Sequence, residues 1–376
     1  MMGRTYAPPV NQILLVTGER SADIYGADVV RQLHSLIPGL HVDVVGGSML
    51  AREDVSVIAR IESLTVMGLA ETVARVPAHL KLFHDLSRRL KKRTYDLVIL
   101  IDYPGFNLRV ASVASKMRTP VLYYVAPQLW AWNAGRAKRI KRDVSALAVV
   151  LPFEREYFRS LGLTAQFVGH PLLDRPPAPS RKDARAKFGI PDGVPVLSLF
   201  PGSREAEIAR MWKTFERAAD TLRSRIPDLH VIVASPRHDS NADQGFIYCD
   251  HSAQIILAAA DAAICKSGTT VLECALSDTP MVVAYRMHPI SFFVARRLVK
   301  VRHIALVNLI ADARVVPEFI QGQVTSEKLA DAAAPLLDAS SVAAQRQREA
   351  FIQVRRSLGH PGAGKRVAGL ATKLVA

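Results

Sequence analysis

The sequence predicts an α/β protein built of two doubly wound parallel-sheet domains with a cleft between them. Three observations carry this. Short apolar runs rich in β-branched and aromatic residues alternate with helix-patterned segments, as in βαβ units. The series of runs stops near residue 151 and restarts after residue 190. Between the two series lies "DRPPAPS" (174–180), whose three prolines exclude a helix interior or an inner strand and mark a linker.

In chain order, the first series is "ILLVT" (13–17), "HVDVVG" (41–46), "LVILID" (97–102), "VLYYVA" (121–126) and "ALAVVL" (146–151). The second is "VLSLF" (196–200), "HVIVA" (230–234), "DAAIC" (261–265) and "MVVAY" (281–285). Residues 325–374 are patterned as helices only. Val73, Val76, Leu80, Phe83 and Leu90 keep roughly helical spacing, a face that suits either a membrane surface or the protein's own sheet. The boundaries give an N-terminal domain over 1–173, the linker over 174–180 and a second domain over 181–350. A final helix over 351–376 packs back on the first domain or on a partner. Ligands of such folds sit at the carboxyl ends of the strands.

The 376 residues are 49% hydrophobic and 22% charged, enough for sizeable cores. No apolar run reaches the ~18 residues of a membrane span. The segment before "ILLVT" has no signal-peptide core, so a cytosolic protein, or one on the cytosolic face of a membrane, is expected. Cys249, Cys265 and Cys274 form no CxxC pair, which argues for buried reduced thiols.

Net charge is +15, and its placement is informative. "KLFHDLSRRLKKR" (81–93), "WAWNAGRAKRIKR" (130–142) and "RMHPISFFVARRLVKVR" (286–302) each carry net +5 and account for the whole excess. Each also holds Phe or Trp. This is the footprint of a surface facing polyanions or acidic lipid, with solvated helix faces as the plain alternative. No RNP motif, zinc-finger spacing or heptad-backed basic helix occurs, so nucleic acid is not the expected partner.

Four strand ends carry chemistry. "GERSADIYGA" (18–27) follows the first strand: Gly18 permits a tight turn, Ser21 or Asp23 can cap the next helix, and Gly26 allows close packing. It is not a GxGxxG dinucleotide motif. Glu19, at the strand tip, fits either a sugar-hydroxyl ligand or a cap. "LVILIDYPGFN" puts Asp102 at the end of an apolar strand, where a charge needs a partner or a task; it is the candidate general base, or else it holds the amides of its loop. "LFPGSREAEI" (199–208) leaves the amides of Gly202 and Ser203 at a helix start, with Arg204 able to grip a diphosphate or to pair with Glu207. "CKSGTTVLE" (265–273) repeats this with Ser267, Gly268 and Thr269, and places Glu273 one helical turn on, within reach of a ribose. Together the two turns point to a nucleotide diphosphate. No two aspartates stand two positions apart, so the Asp-x-Asp metal pair is absent and neither metal nor cofactor is expected. His170 in "VGHP" reads as a structural histidine beside the linker.

These pieces together resemble the lipid-A-disaccharide synthases, inverting glycosyltransferases of the two-domain GT-B type, over nearly the whole chain. The resemblance is carried by the stretches above and by "VMGLAETV" (66–73), "QLWAWNAGRAKRIKR" (128–142), "LPFEREYF" (151–158), "FVGHPLLD" (167–174), "ARRLVK" (295–300) and "VVPEFIQ" (315–321). It implies a UDP-2,3-diacylglucosamine donor and a 2,3-diacylglucosamine 1-phosphate (lipid X) acceptor. The implied products are a β-1,6-linked disaccharide 1-phosphate and UDP. It makes Asp102 a candidate base and Glu19 and Arg204 residues needed for activity. It implies that Ser267 to Thr269, Glu273, Asn308 and Gln321 line the UDP site. Acylated substrates further imply docking on an anionic membrane, with Trp130 and Trp132 at the interface and Arg136, Lys138 and Arg139 on headgroups or the acceptor phosphate. A homodimer is a candidate assembly. The chain departs from the family's usual pattern at Ala22, Val44, Leu50, Gly105 and Val307, and its segment 235–252, beside the expected uracil pocket, is short.

Overall fold

A computed structural model describes residues 12–61, 69–92, 95–130, 134–235, 245–288, 292–293 and 301–375. The chain divides into two compact units, one holding the residues up to Arg175 together with Leu358 onward, the other Pro176–Ser357.

The first unit is built on a seven-stranded sheet: β1 (Gln12–Val16), β2 (His41–Gly46), β3 (Ser56–Arg60), β4 (Leu97–Ile101), β5 (Val121–Tyr124), β6 (Ala146–Val149) and β7 (Ala165–Phe167). Its order is β3-β2-β1-β4-β5-β6-β7. The second carries β8 (Val196–Phe200), β9 (His230–Ala234), β10 (Phe246–Cys249), β11 (Ala262–Lys266), β12 (Met281–Tyr285) and β13 (Glu318–Ile320), in the order β10-β9-β8-β11-β12-β13. The pairings are parallel in both sheets. In each, the direction of winding reverses once, between β1 and β4 and between β8 and β11. The predicted class, two doubly wound α/β sheets, is the fold observed.

All nine apolar runs form strands because each is covered on both faces. Leu97 to Ile101 of β4 and Ile13 to Val16 of β1 are fully buried. The helix Leu69–Lys91 lays Leu82, Leu86 and Leu90 into the core, an i, i+4, i+8 stripe whose members each contribute about 1.5–3 kcal/mol by burial. Its Val76 and Leu80 stay exposed at 48% and 55%. Its basic end thus packs on the sheet, while an apolar pair nearer its start does not. All three cysteines are free, Cys265 and Cys274 buried and Cys249 half-buried rather than buried.

The final helix, Ala363–Val375, packs on the helix Arg20–Leu36 and on β4, β5 and β6. Its first amides are held by Asp174, whose carboxylate accepts from Gly362 and, at 2.8 Å, from Ala363. Gly364 lies against Asp28 with no room for a Cβ. His170 is buried beside this junction. Its amide donates to the Leu358 carbonyl at 2.9 Å and its Nδ1 accepts from Leu172 at 3.2 Å. Burial, then the nearby Arg175 charge, push its pKa down to about 4.

Candidate active site

In a doubly wound sheet, the strands on either side of the reversal send their following loops in opposite directions, leaving a crevice at their carboxyl ends. In the first unit those strands are β1 and β4, so Glu19 and Asp102 leave the sheet from adjacent tips. Glu19 is the N-cap position of the helix Arg20–Leu36, without a side-chain capping bond. Asp23, anticipated as a cap, does something else: it is buried and its carboxylate accepts from the amides of Gly47 (2.6 Å), Met49 (2.9 Å) and Leu50 (3.2 Å), fixing the turn after β2.

Asp102 and Tyr103 both adopt left-handed backbone, with φ of 52° and 51°. Val125, at the tip of the neighbouring β5, does too, at 57°. Such conformations cost non-glycine residues about 1–3 kcal/mol each and gather at functional sites. They persist here because the backbone is pinned. The Asp102 amide donates to Tyr124 O at 3.0 Å, and its carbonyl accepts from the Tyr123 hydroxyl at 2.6 Å and Asn107 Nδ2 at 2.8 Å. The side chains of Tyr103 and Glu19 share one neighbourhood. Burial and then the Glu19 charge raise the Tyr103 pKa, and His79 Nε2 is hydrogen-bonded to the Tyr103 hydroxyl at 2.7 Å. Phe106 stacks on the Tyr103 ring at 5.7 Å.

The basic stretch adjoins this edge. The Tyr123 hydroxyl, raised in pKa chiefly by burial, feels Asp102 and Arg136 with opposite sign, so both charges act on the same spot. The helix Ala137–Asp143 turns Ile140 and Asp143 inward and leaves Lys138 and Arg139 exposed. Trp130 is half-buried, its Nε1 donating to Glu154 Oε1 at 3.0 Å and its ring meeting Phe153 edge-on at 5.1 Å. Glu154 is fully buried; burial pushes its pKa up to about 7 against the pull of the Leu151, Trp130 and Val150 donors. Trp132, the stretches 66–68 and 295–300, and most of the short segment, 236–244, lie outside the described residues.

In the second unit the reversal falls between β8 and β11, and the two small-residue turns follow those strands. Gly202 has φ 138°, and a Cβ there would stand 2.7 Å from Glu207 Cβ. The Ser203 amide donates to Glu207 Oε2 at 3.3 Å. Arg204 is exposed at the N-cap of the helix Glu205–Arg225, with Nη1 4.0 Å from Glu207 Oε1, the outer limit of an ion pair and weak in solvent. Ser267 donates to the Ile304 carbonyl at 2.8 Å, Gly268 and Glu273 are partly exposed, and Thr269 is exposed.

Two residues of the anticipated UDP set are engaged elsewhere. Asn308 is fully buried, and its amide is saturated: Nδ2 donates to Val316 O and Glu318, and Oδ1 accepts from Val315 and Val316. It shapes the 313–316 loop and presents no group to a ligand. Gln321 binds the Met287 backbone twice, accepting at 2.7 Å and donating at 3.1 Å. Conversely, His79, Tyr103 and Lys266 belong to these two edges and were not singled out from the sequence. Among the described residues, no group of three or more His, Cys, Asp or Glu could hold a metal ion.

Comparison with known proteins agrees with this fold. The family model described as lipid-A-disaccharide synthetase matches residues 13–365. A lipid-A-disaccharide synthase from Anaeromyxobacter sp. (strain K) is 38% identical over 374 residues, covering 96% of this chain and 97% of its own. One from Geobacter metallireducens is 37% identical, covering 98% of each. Among solved structures, a putative UDP-N-acetylglucosamine 2-epimerase from Listeria monocytogenes matches with TM-score 0.65 at 11% identity, over 95% of this chain and 94% of its own. The glycotransferase of kitacinnamycin matches with TM-score 0.65 at 15% identity, over 98% of this chain and 100% of its own. Those two likenesses speak to the fold alone. With a full-length family match and relatives well above 30% identity, the chain belongs to the lipid-A-disaccharide synthase family and is a glycosyltransferase.

Proposed function

We propose that this enzyme joins UDP-2,3-diacylglucosamine to 2,3-diacylglucosamine 1-phosphate, giving the β-1,6-linked disaccharide 1-phosphate and UDP with inversion at the anomeric carbon. The observation that carries this reading is the pinned, left-handed turn that holds Asp102 at the tip of β4, the strand that adjoins β1 and the Glu19 loop after it. Asp102 takes the proton of the acceptor 6-hydroxyl as that oxygen bonds to the anomeric carbon. The bond from that carbon to the diphosphate oxygen breaks, and the charge released onto UDP is met by Arg204 and the Gly202 amide at the start of the helix, the Ser203 amide being held by Glu207. Ser267 to Thr269 and Glu273 complete the nucleotide contacts. The chemistry is assigned to side chains and backbone, without metal or cofactor.

Both substrates carry acyl chains, so the enzyme works at the cytosolic face of a membrane as a peripheral protein. Exposed Val76 and Leu80 beside Lys81 supply an apolar pair next to positive charge, and Lys138 and Arg139 add charge near the Asp102 edge. No helix of the described residues is long and apolar enough to cross a bilayer.

The test is an assay in detergent micelles with both lipid substrates and no added metal, following UDP and disaccharide by mass spectrometry. UDP-N-acetylglucosamine serves as the acyl-free control donor. Disaccharide formed from the acylated donor, and lost in Asp102→Ala and Arg204→Ala, is the expected result. Turnover of the acyl-free donor instead would overturn the proposed substrate.

A further inference from the structure

Lys266 closes β11, and Glu207 lies in the first turn of the helix after β8. These strands are neighbours, with Cys265 opposite Phe200 in the register. The Lys266 ammonium stands 2.9 Å from Glu207 Oε1, while Glu207 Oε2 accepts from the Ser203 amide. One ion pair therefore ties the turn after β8 to the turn after β11. Both side chains are mostly covered, Lys266 exposed by 19% and Glu207 by 17%. The ammonium also lies 5.7 Å from the centre of the Tyr285 ring.

A pair so covered loses much hydration and regains little net stability, so its presence at a strand-tip crevice calls for a task. The local charge indicates which. Tyr285 has a pKa raised chiefly by burial, then by Glu207, and Arg210 and Arg204 act on it in the opposite sense. Lys266 and Arg204 both act on the Glu207 carboxylate. Burial pulls the Glu207 carboxyl upward, but Lys266, Arg204 and the Ser203 amide outweigh it, so this carboxyl titrates below its ordinary range and stays ionised. A fixed carboxylate can hold an ammonium in place. The ammonium has three donors, and Glu207 takes one.

We propose that Lys266 is a phosphate-contacting residue of the donor site and that Glu207 is a positioning residue that holds its ammonium beside the Gly202–Ser203 turn. The inference rests on the reading of this edge as the site of the nucleotide diphosphate. Lys266 supplies a charge at the turn after β11 that complements Arg204 at the turn after β8, and together they match a ligand with two adjacent phosphates.

The experiment measures UDP binding by calorimetry and uridine binding by NMR titration on the full chain. The variants are Lys266→Met, Lys266→Arg, Glu207→Gln and the double Lys266→Met/Glu207→Gln. Lys266→Met should weaken UDP by about tenfold or more, the worth of a charge-assisted hydrogen bond, and leave uridine within about twofold. Lys266→Arg should recover most of the loss. Glu207→Gln should weaken UDP severalfold with Lys266 present and have no effect in the Met background. Unchanged UDP affinity in Lys266→Met, or parallel loss of UDP and uridine, would overturn the role of Lys266. Equal effects of Glu207→Gln in both backgrounds would overturn positioning by Glu207. A parent enzyme that fails to bind UDP would sink the donor-site reading itself, and this inference with it.

Discussion

The Tyr103 ring lies directly on Gly18, so closely that a Cβ at Gly18 would overlap Tyr103 Cβ and Cγ. These atoms sit at the root of the tyrosine, where the left-handed backbone gives no slack. Gly18→Ala should therefore displace Tyr103, its His79 contact and the adjacent Asp102. We expect a stability loss of about 1–3 kcal/mol in urea titration, as for an overpacked core. A shift of even 1 Å at the reacting groups should lower kcat roughly 100-fold. Adding Tyr103→Gly, which removes both overlapping atoms and suits the left-handed backbone, should restore much of the stability, and strict additivity of the two changes would contradict the contact.

Asp102→Asn keeps the shape of the turn, because the Tyr123 and Asn107 bonds go to the backbone carbonyl. The variant should fold normally and lose about 10²–10⁴ in kcat, the usual worth of a general base. UDP affinity should be unchanged. A kcat within threefold of the parent would remove Asp102 from the chemistry.

Two buried groups give the fold opposing responses to pH. Glu154 titrates at about 7 when folded, above the ordinary 4.5, so the folded state binds the extra proton and stability falls as pH rises from about 4.5 to 7. His170 titrates at about 4, below the ordinary 6.5, so the unfolded state binds the extra proton and stability rises from about pH 4 to 6.5. Each term is on the order of 3 kcal/mol. Thermal melts across this range should therefore diverge. Relative to the parent, Glu154→Gln should gain stability as pH rises, and His170→Asn should lose it. Curves parallel to the parent's would refute both assignments.

Asp174→Ala removes the carboxylate that holds the first amides of the final helix. The cost should be about 1–2 kcal/mol, as for other N-terminal caps. Hydrogen exchange should quicken first over 363–375. Equal quickening throughout the first unit would mean that the helix does not detach separately.

What could be read in the sequence follows the physics of burial. The nine strands recognised as apolar runs include every inner strand, covered on both faces. The four missed, β3, β7, β10 and β13, are the outermost strands of the two sheets. β7 and β13 are three residues long, β3 is largely exposed, and β10, although its four residues are apolar, is only half-buried beyond Phe246. Glu19, Asp102 and the two small-residue turns were legible because a strand ending in a polar loop is a local signal. The partnerships were not. His79 meets Tyr103 across 24 positions, and Lys266 meets Glu207 across 59. Asp23 was read as a local cap, and instead reaches amides 24 to 27 positions on. Asn308 shows why residue type is insufficient: the same amide that could read a base is consumed by its own loop.

The return of the final helix to the first unit sets an order of events during synthesis. The first unit is finished by residues made only after the whole of the second. Pro176–Ser357 emerges as an uninterrupted whole, while β4, β5 and β6 wait for the layer that Ala363–Val375 supplies. At about 5–20 residues per second, that wait is on the order of ten seconds or more. During it, the part of the sheet on which that helix packs exists without its cover. A nascent chain stalled before Leu358 should thus hold a complete second unit and a first unit open to chaperones and proteases.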